Sequence, residues 1–274
     1  MIDTSTEDGI VTQQQRLNLL LDALAQVGQL TVAEIAERFQ ISDATARRDL
    51  NFLADRRLVT RTHGGAVSVG AAYELPLQYK IARNAEAKQS IATLAASLVK
   101  PGDVIGLTGG TTTSEVARAL GQSAHLQSND NSTEPQLTIV TNALNIAYEM
   151  AIRPNIKIVT TGGVAKSRTF ELVGPLVGHA VASMTLDWAM IGVDGLHPRF
   201  GATTVDEAEA EVNRLLAEAA RNVAIVADFS KMNQSAFGRI CTMADLDVIV
   251  TDQEPPAEIR EEARKSNIEI LIPS

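Results

Sequence analysis

The sequence predicts two domains of different class: a small α+β unit over residues 12–67 and a larger α/β unit over residues 80–274, joined by a linker at 68–79. Three observations carry this division. Helix-type apolar spacing fills the first quarter of the chain. Ser68-Val69-Gly70-Ala71-Ala72 then lacks both charge and large apolar groups. From Lys80 onward, helical patterns alternate with near-continuous apolar runs, which indicate strands buried on both faces in a mostly parallel sheet covered by helices.

A first helix is expected over 13–26, where Leu17, Leu20, Leu21 and Leu24 recur at helical spacing and Gly28 ends the pattern. A second is expected over 29–39, opened by a capping box in which Thr31 and Glu34 satisfy each other's amides. Gln40-Ile41-Ser42 leaves room only for a tight turn into a third helix, capped by Ser42, with Asp43 where the helix dipole favours negative charge. At about 100° per residue, Ala46, Leu50 and Leu53 share an apolar face, Arg48, Asn51, Phe52 and Asp55 point away, and Thr45 and Arg47 lie on the flanks. Two helices touching across so short a turn, the second with a basic outer edge, have helix-turn-helix spacing. Downstream, the short β-formers of 58–67, with Gly64-Gly65 as a turn element and Arg61 and His63 on one parity, suit a small β-wing. Ser42, Thr45, Arg47 and Arg48 on the helix, and Arg61 and His63 on the wing, are the candidate contacts to a double-stranded DNA operator.

These residues carry a resemblance. Ala44-Thr45-Ala46-Arg47-Arg48-Asp49-Leu50, followed by Arg61-Thr62-His63-Gly64-Gly65-Ala66, resembles the winged helix-turn-helix of the DeoR family of bacterial transcriptional regulators over about Arg16 to Val67. Ala46 departs, standing where that family usually has a β-branched residue.

A net charge of −9 argues at first against nucleic acid, but the charge is unevenly spread. Between Gln13 and Val67 seven Arg stand against six Asp and Glu, a balance of +1 that leaves −10 for the rest of the chain. The first 79 residues contain no Lys; their cations are all guanidinium groups, suited to bidentate contacts with phosphate or guanine. So weak a positive balance predicts modest affinity for one copy of the module, and a homo-oligomer, dimer or tetramer, would multiply the phosphate contacts. No apolar run approaches the length of a membrane span, and residues 1–8 are polar and acidic rather than a signal peptide, so a cytoplasmic location is expected. Cys241 is the only cysteine and reads as a small buried hydrophobe. The four histidines show no ligand-like spacing, and neither a metal nor a cofactor is expected.

In the second domain a long helix is expected over 85–99. Strands follow at 104–107, 137–140, 156–159, 188–191, 223–226, 248–250 and 268–272. The stretch 122–136, rich in Ser, Asn and Gln, reads as a surface loop, its Asn131-Ser132-Thr133 sequon being accidental. Ligands of open parallel sheets bind beyond the carboxyl ends of the strands. Those ends carry Thr108-Gly109-Gly110-Thr111-Thr112-Thr113-Ser114, Thr141-Asn142, Thr160-Thr161-Gly162-Gly163, Gly192-Val193-Asp194-Gly195, Ala227-Asp228-Phe229-Ser230-Lys231 and Thr251-Asp252. Glycines that let amides turn inward, hydroxyls, and a following helix are the parts of an anion cradle. The segment is not a Walker loop, which would carry a Lys after its last glycine, nor a dinucleotide fingerprint, because its glycines are adjacent. With Lys231 as a cation at another strand end, the set suits a phosphate plus a polyol: Gly109, Gly110, Thr111, Thr112, Thr113 and Lys231 for the anion, and Asn142, Gly163, Asp194 and Asp228 at the rim.

This half is similar to the DeoR family's C-terminal sensor domain, a Rossmann-like fold akin to ribose-5-phosphate isomerase and glucosamine-6-phosphate deaminase, over roughly Lys88 to Ile272. The shared motifs run in order through Gly110-Thr111-Thr112, Thr141-Asn142, Gly162-Gly163, Val173-Gly174-Pro175, Gly192-Val193-Asp194-Gly195, Glu209-Ala210 with Val212 and Arg214, Asp228 with Ser230-Lys231, and Thr251-Asp252. Thr108 stands where the family commonly has Asp, and Asn213 where Lys is usual. The resemblance implies a transcriptional regulator, usually a repressor, of a carbohydrate-metabolism operon, with a phosphorylated sugar as effector. The competing reading is a sugar-phosphate isomerase-like enzyme with an appended DNA-binding domain, for which Asp194, Glu209, Asp228 and Lys231 are of suitable type.

Overall fold

The structure is a computed structural model that describes residues 13–56, 58–68, 76–80, 83–126 and 135–273. Residue 12, most of the linker (69–75) and most of the polar loop with its sequon (127–134) lie outside the described residues. The chain forms two compact units that divide between Arg83 and Asn84.

The first unit runs α1 (Gln13–Val27), β1 (Gln29–Thr31), α2 (Val32–Arg38), α3 (Asp43–Asp55), β2 (Val59–Arg61), β3 (Gly65–Ser68) and α4 (Leu77–Lys80). Its core is the predicted one: Leu17, Leu20 and Leu24 of α1 meet Ile35 of α2 and Ala46, Leu50 and Leu53 of α3, each at most 1% exposed. The capping box forms as expected, with Thr31 Oγ1 accepting from the Glu34 amide at 3.2 Å and Glu34 accepting from the Thr31 amide at 2.7 Å.

Two expectations need correction. Residues 29–31 are not the start of the second helix but a strand, paired antiparallel with β3 in a sheet of order β1-β3-β2. The reason lies in the cap itself, because an N-cap residue is extended (Thr31 φ −83°, ψ 162°) and the chain ahead of it is free to join the wing. Gly65 faces Thr31 in that pairing, and a Cβ there would lie 2.0 Å from the Leu30 carbonyl oxygen; a Cβ on Gly64 would meet nothing within 4 Å. The second glycine of the wing is thus required by close approach of the backbones. The linker also starts later and ends differently than expected: Ser68 belongs to β3, and α4 buries Tyr79 (4% exposed) in the first unit's core.

The second unit runs α5 (Ala85–Ala96), β4 (Val104–Leu107), α6 (Thr111–Gln122), β5 (Leu137–Thr141), α7 (Leu144–Met150), β6 (Ile156–Thr160), β7 (Val164–Ala165), β8 (Leu172–Val173), α8 (Pro175–Val181), β9 (Leu186–Ile191), β10 (Gly195–His197), β11 (Gly201–Thr204), α9 (Glu207–Glu218), β12 (Ala220–Val226), β13 (Gly238–Cys241), β14 (Val248–Val250), α10 (Ala257–Lys265) and β15 (Glu269–Leu271). The seven apolar runs form one sheet of order β15-β14-β12-β9-β4-β5-β6, parallel at every pairing. Alternate residues go to opposite faces. Met190, Ala224 and Val226 join the cluster under α5, α6 and α7, while Ala189, Ile191 and Ile225 join the one that includes Ala210 of α9 and Ile259 of α10. The hairpin of β7 with β8 and the antiparallel sheet β10-β11-β13 were not anticipated; they are short and packed through glycines, a Cβ on Gly201 falling 2.1 Å from the Cys241 carbonyl oxygen. Cys241 is buried, and burial first, with Asp245 second, pushes its thiol up to about 12.

Chain order fixes where a ligand crevice opens. From β4 the chain steps to β5 and β6 on one side, and β9, β12, β14 and β15 fill the other, so the reversal falls between β4 and β9. Crevices of open α/β sheets form at that switch point.

Candidate functional site

In the first unit, Ser42 caps α3 as predicted, accepting from the Thr45 amide at 3.2 Å, and the two hydroxyls lie 2.9 Å apart. The helix is seated by Ala46, Leu50 and Leu53, which turns Arg47 and Arg48 outward. Both are exposed, and among the described residues neither enters a hydrogen bond or ion pair. Arg56, one turn on, stacks its guanidinium 3.5 Å above the Phe52 ring. On the wing His63 is exposed in the turn, whereas Arg61 is half-buried and donates from Nη1 to the Gly65 carbonyl at 2.6 Å, which ties that side chain to its own hairpin.

One polar residue of this unit was missed. Asp49 is 1% exposed on the inner face of α3 and receives Arg16 Nε at 2.6 Å and Nη2 at 3.3 Å. The hydrogen bond to Asp49 raises the Arg16 guanidinium further above its ordinary value. This bond fixes the roll of the recognition helix against α1. The signal was its position, three residues after Ala46 and one before Leu50, inside the apolar face.

In the second unit, the segment after β4 lies at the switch point: a Cβ on Gly192, which follows β9, would be 3.4 Å from the Gly109 carbonyl oxygen and 3.4 Å from the Thr113 methyl. Gly110 is the N-cap of α6 with φ +123°, a conformation natural to glycine, and no side chain caps the helix. The first-turn amides of this 12-residue helix therefore have no capping side chain as acceptor. Thr111 is half-buried, but Thr113 is 0% exposed and its hydroxyl donates back to the Gly110 carbonyl at 3.2 Å, as Ser114 does at 2.7 Å. Thr113 is thus corrected from an effector donor to a residue that shapes the loop.

The other rim residues are engaged with one another. Asp194 accepts from the Thr204 hydroxyl at 3.0 Å and the Val205 amide at 3.2 Å, and Lys231 Nζ lies 3.7 Å from its other oxygen. Asp228 accepts from Asn84 Nδ2 at 3.0 Å and from the Ser230 amide at 3.0 Å. Gly163, at φ +121°, comes within 2.7 Å of the Val173 carbonyl through its would-be Cβ, so its role is to admit β8. Asn142 is fully buried and donates from Nδ2 to Glu171 Oε2 at 3.0 Å. Glu171 was not singled out from sequence: it is 6% exposed, and a Cβ on Gly109 would fall 2.2 Å from its Cδ. Nearby in sequence, Lys166 meets Asp206 at 2.5 Å and Glu209 at 3.0 Å, and Glu209 also receives the Thr169 hydroxyl at 2.8 Å. Burial acts to lower the Lys166 amine, but the bonds to Asp206 and Glu209 win and hold it above its ordinary value; burial likewise acts to raise Asp206, and the bond from Lys166 holds it below. Among the described residues no cluster of His, Cys, Asp and Glu is arranged to hold a metal, and no helix is long and apolar enough to cross a membrane.

A winged three-helix unit with outward arginines, joined to a parallel-sheet unit, defines a DNA-binding transcriptional regulator of the helix-turn-helix class. The family described as the DeoR-like helix-turn-helix domain matches residues 16–71, and that described as the DeoR C terminal sensor domain matches residues 83–253. The chain is 30% identical to the HTH-type transcriptional repressor CsqR of Escherichia coli (strain K12), over 96% of this chain and 97% of that one. It is 29% identical to the glycerol-3-phosphate regulon repressor of the same organism, over 95% and 99%. Among solved structures, ribose 5-phosphate isomerase A from Methanocaldococcus jannaschii aligns with TM-score 0.39 and 19% identity over 54% of each chain. The protein belongs to the DeoR family of transcriptional regulators.

Proposed function

We propose that this protein represses a carbohydrate-metabolism operon by binding its operator through α3 and the wing, and that a phosphorylated sugar bound at the β4–β9 switch point controls that affinity. The observation that carries the DNA half is the pair of exposed guanidiniums, Arg47 and Arg48, on a helix whose opposite face is locked into the core. Ser42 and Thr45 set the start of that helix, and His63 extends the contact from the wing. The uncapped start of α6 behind Gly109-Gly110 supports the effector half, with Thr111 and Thr112 beside it.

A homo-oligomer fits the weak positive balance of a single module, because two modules held at fixed spacing double the phosphate contacts. The effector then acts by biasing how the modules are held. A bias of about 1.4 kcal/mol shifts operator affinity tenfold.

The test is thermal unfolding against a panel of phosphorylated sugars, followed by operator binding with the best stabiliser present. A ligand that binds only the native state raises its stability with the logarithm of concentration over Kd. The proposal expects one class of sugar phosphate both to stabilise the protein and to weaken operator binding. Stabilisation by none of the panel would overturn the effector half.

A further inference from the structure

We propose that Glu171 is a specificity-determining residue of this effector site, forming with Asn142 a buried pair of acceptors that takes hydrogen bonds from hydroxyl groups of the ligand; the inference rests on the effector reading above. Two observations carry it. The Glu171 carboxyl group lies against the backbone of the glycine loop, where a Cβ on Gly109 would be 2.3 Å from its Oε1. Asn142, 0% exposed at the end of β5, has an amide oxygen with no partner among the described residues.

The two facts are linked by the bond between them. Asn142 Nδ2 lies 3.0 Å from Glu171 Oε2, and only the nitrogen of an amide can donate to a carboxylate, so the amide's orientation follows from its neighbour. Its oxygen is then a buried acceptor that lacks a donor, an arrangement that costs stability until a donor arrives.

Phosphate is a poor partner there: even where it keeps a P–OH group at neutral pH, its net negative charge is repelled by the Glu171 carboxylate. A sugar hydroxyl is a donor of the right kind. The crevice therefore divides its work: the amides at the start of α6 hold the anion, and Glu171 with Asn142 accepts from hydroxyls on the adjoining carbons. The ligand class is a phosphorylated sugar or polyol, selected against bare phosphate. A side chain at 109 would take the space of the Glu171 carboxyl group and displace it.

The experiment titrates inorganic phosphate, ribose 5-phosphate and glucose 6-phosphate against the full chain, following thermal unfolding, for the wild type, Glu171→Gln and Glu171→Asp. Glu171→Gln preserves shape and removes the charge; Glu171→Asp preserves the charge and withdraws it from the loop, so the test stands if one variant fails to fold. The expected result is a rise of tenfold or more in Kd for whichever sugar phosphate the wild type binds, with the Kd for inorganic phosphate changed less than twofold. An unchanged Kd for the sugar phosphate, or an equal loss of both ligands, would overturn the inference and leave the effector reading standing. Failure of the wild type to bind either sugar phosphate would overturn the inference as stated for these ligands, and failure across the whole panel of sugar phosphates would overturn the effector reading with it.

Discussion

On the recognition helix Arg47 and Arg48 stand exposed with no partner among the described residues, whereas in the sheet-bearing unit Lys166, Lys231, Asp194 and Asp228 are all tied to groups of that same unit. The difference follows from what each surface meets. A DNA backbone brings its own dense negative charge, so cations waiting in water need no internal support and cost little to keep there. A small ligand in a crevice displaces water, and the charged groups that surround it are held by partners, since burial would otherwise penalise each of them. Asp49 is the exception that makes the rule visible: it sits on the recognition helix yet is 1% exposed and held by Arg16, because its task is to seat the helix.

Substitutions can break this contrast at several levels. The largest effect is expected from Lys166→Ala, which removes a cation shared by Asp206 and the buried Glu209 (2% exposed) and should cost about 3 kcal/mol by chemical denaturation. The same cluster predicts the pH response. Asp206 lies below the usual carboxylate range when folded, so its contribution is present above about pH 4 and lost as the pH falls through its folded value. Lys166 lies above its ordinary range, so its contribution is complete below about pH 10 and lost as the pH rises through its folded value. The acid loss should shrink in Lys166→Ala without vanishing, because the Ala208 and Glu209 amides still hold Asp206 down.

Asp49→Ala comes next. It removes a charged hydrogen-bond pair from the first unit and should cost about 2 kcal/mol there. Operator affinity should fall with it, since the helix loses its fixed roll. Smallest is Ser42→Ala, which deletes the cap on α3 at about 1 kcal/mol, read from the urea midpoint.

The same contrast explains what could be read from the residues alone. Local chemistry was legible: the capping box at Thr31 and Glu34, the Ser42 cap, the apolar face of α3 and all seven parallel strands appear where spacing and turn residues place them. Elements set by distant partners were not. Gln29-Leu30-Thr31 became a strand because β3, more than 30 residues on, offers it an edge. Glu171 has no local pattern that marks it; it lies against Gly109 and Asn142, on other strands' ends. Thr113 was placed in the cradle by its sequence position, yet one further turn of the helix puts its hydroxyl back on Gly110. Local propensity carries no information about such long-range contacts.

Operator binding by Arg48→Ala, measured across a salt series, tests the central claim most directly. Arg48 is exposed and holds nothing among the described residues, so the variant should unfold at the wild-type denaturant midpoint. Its operator affinity should fall by about 1–3 kcal/mol if the guanidinium reads a base, or fall together with a reduction of about 1 in the salt slope if it meets a phosphate. Wild-type affinity and slope in a fully folded Arg48→Ala would contradict the assignment of α3 as the DNA-reading helix.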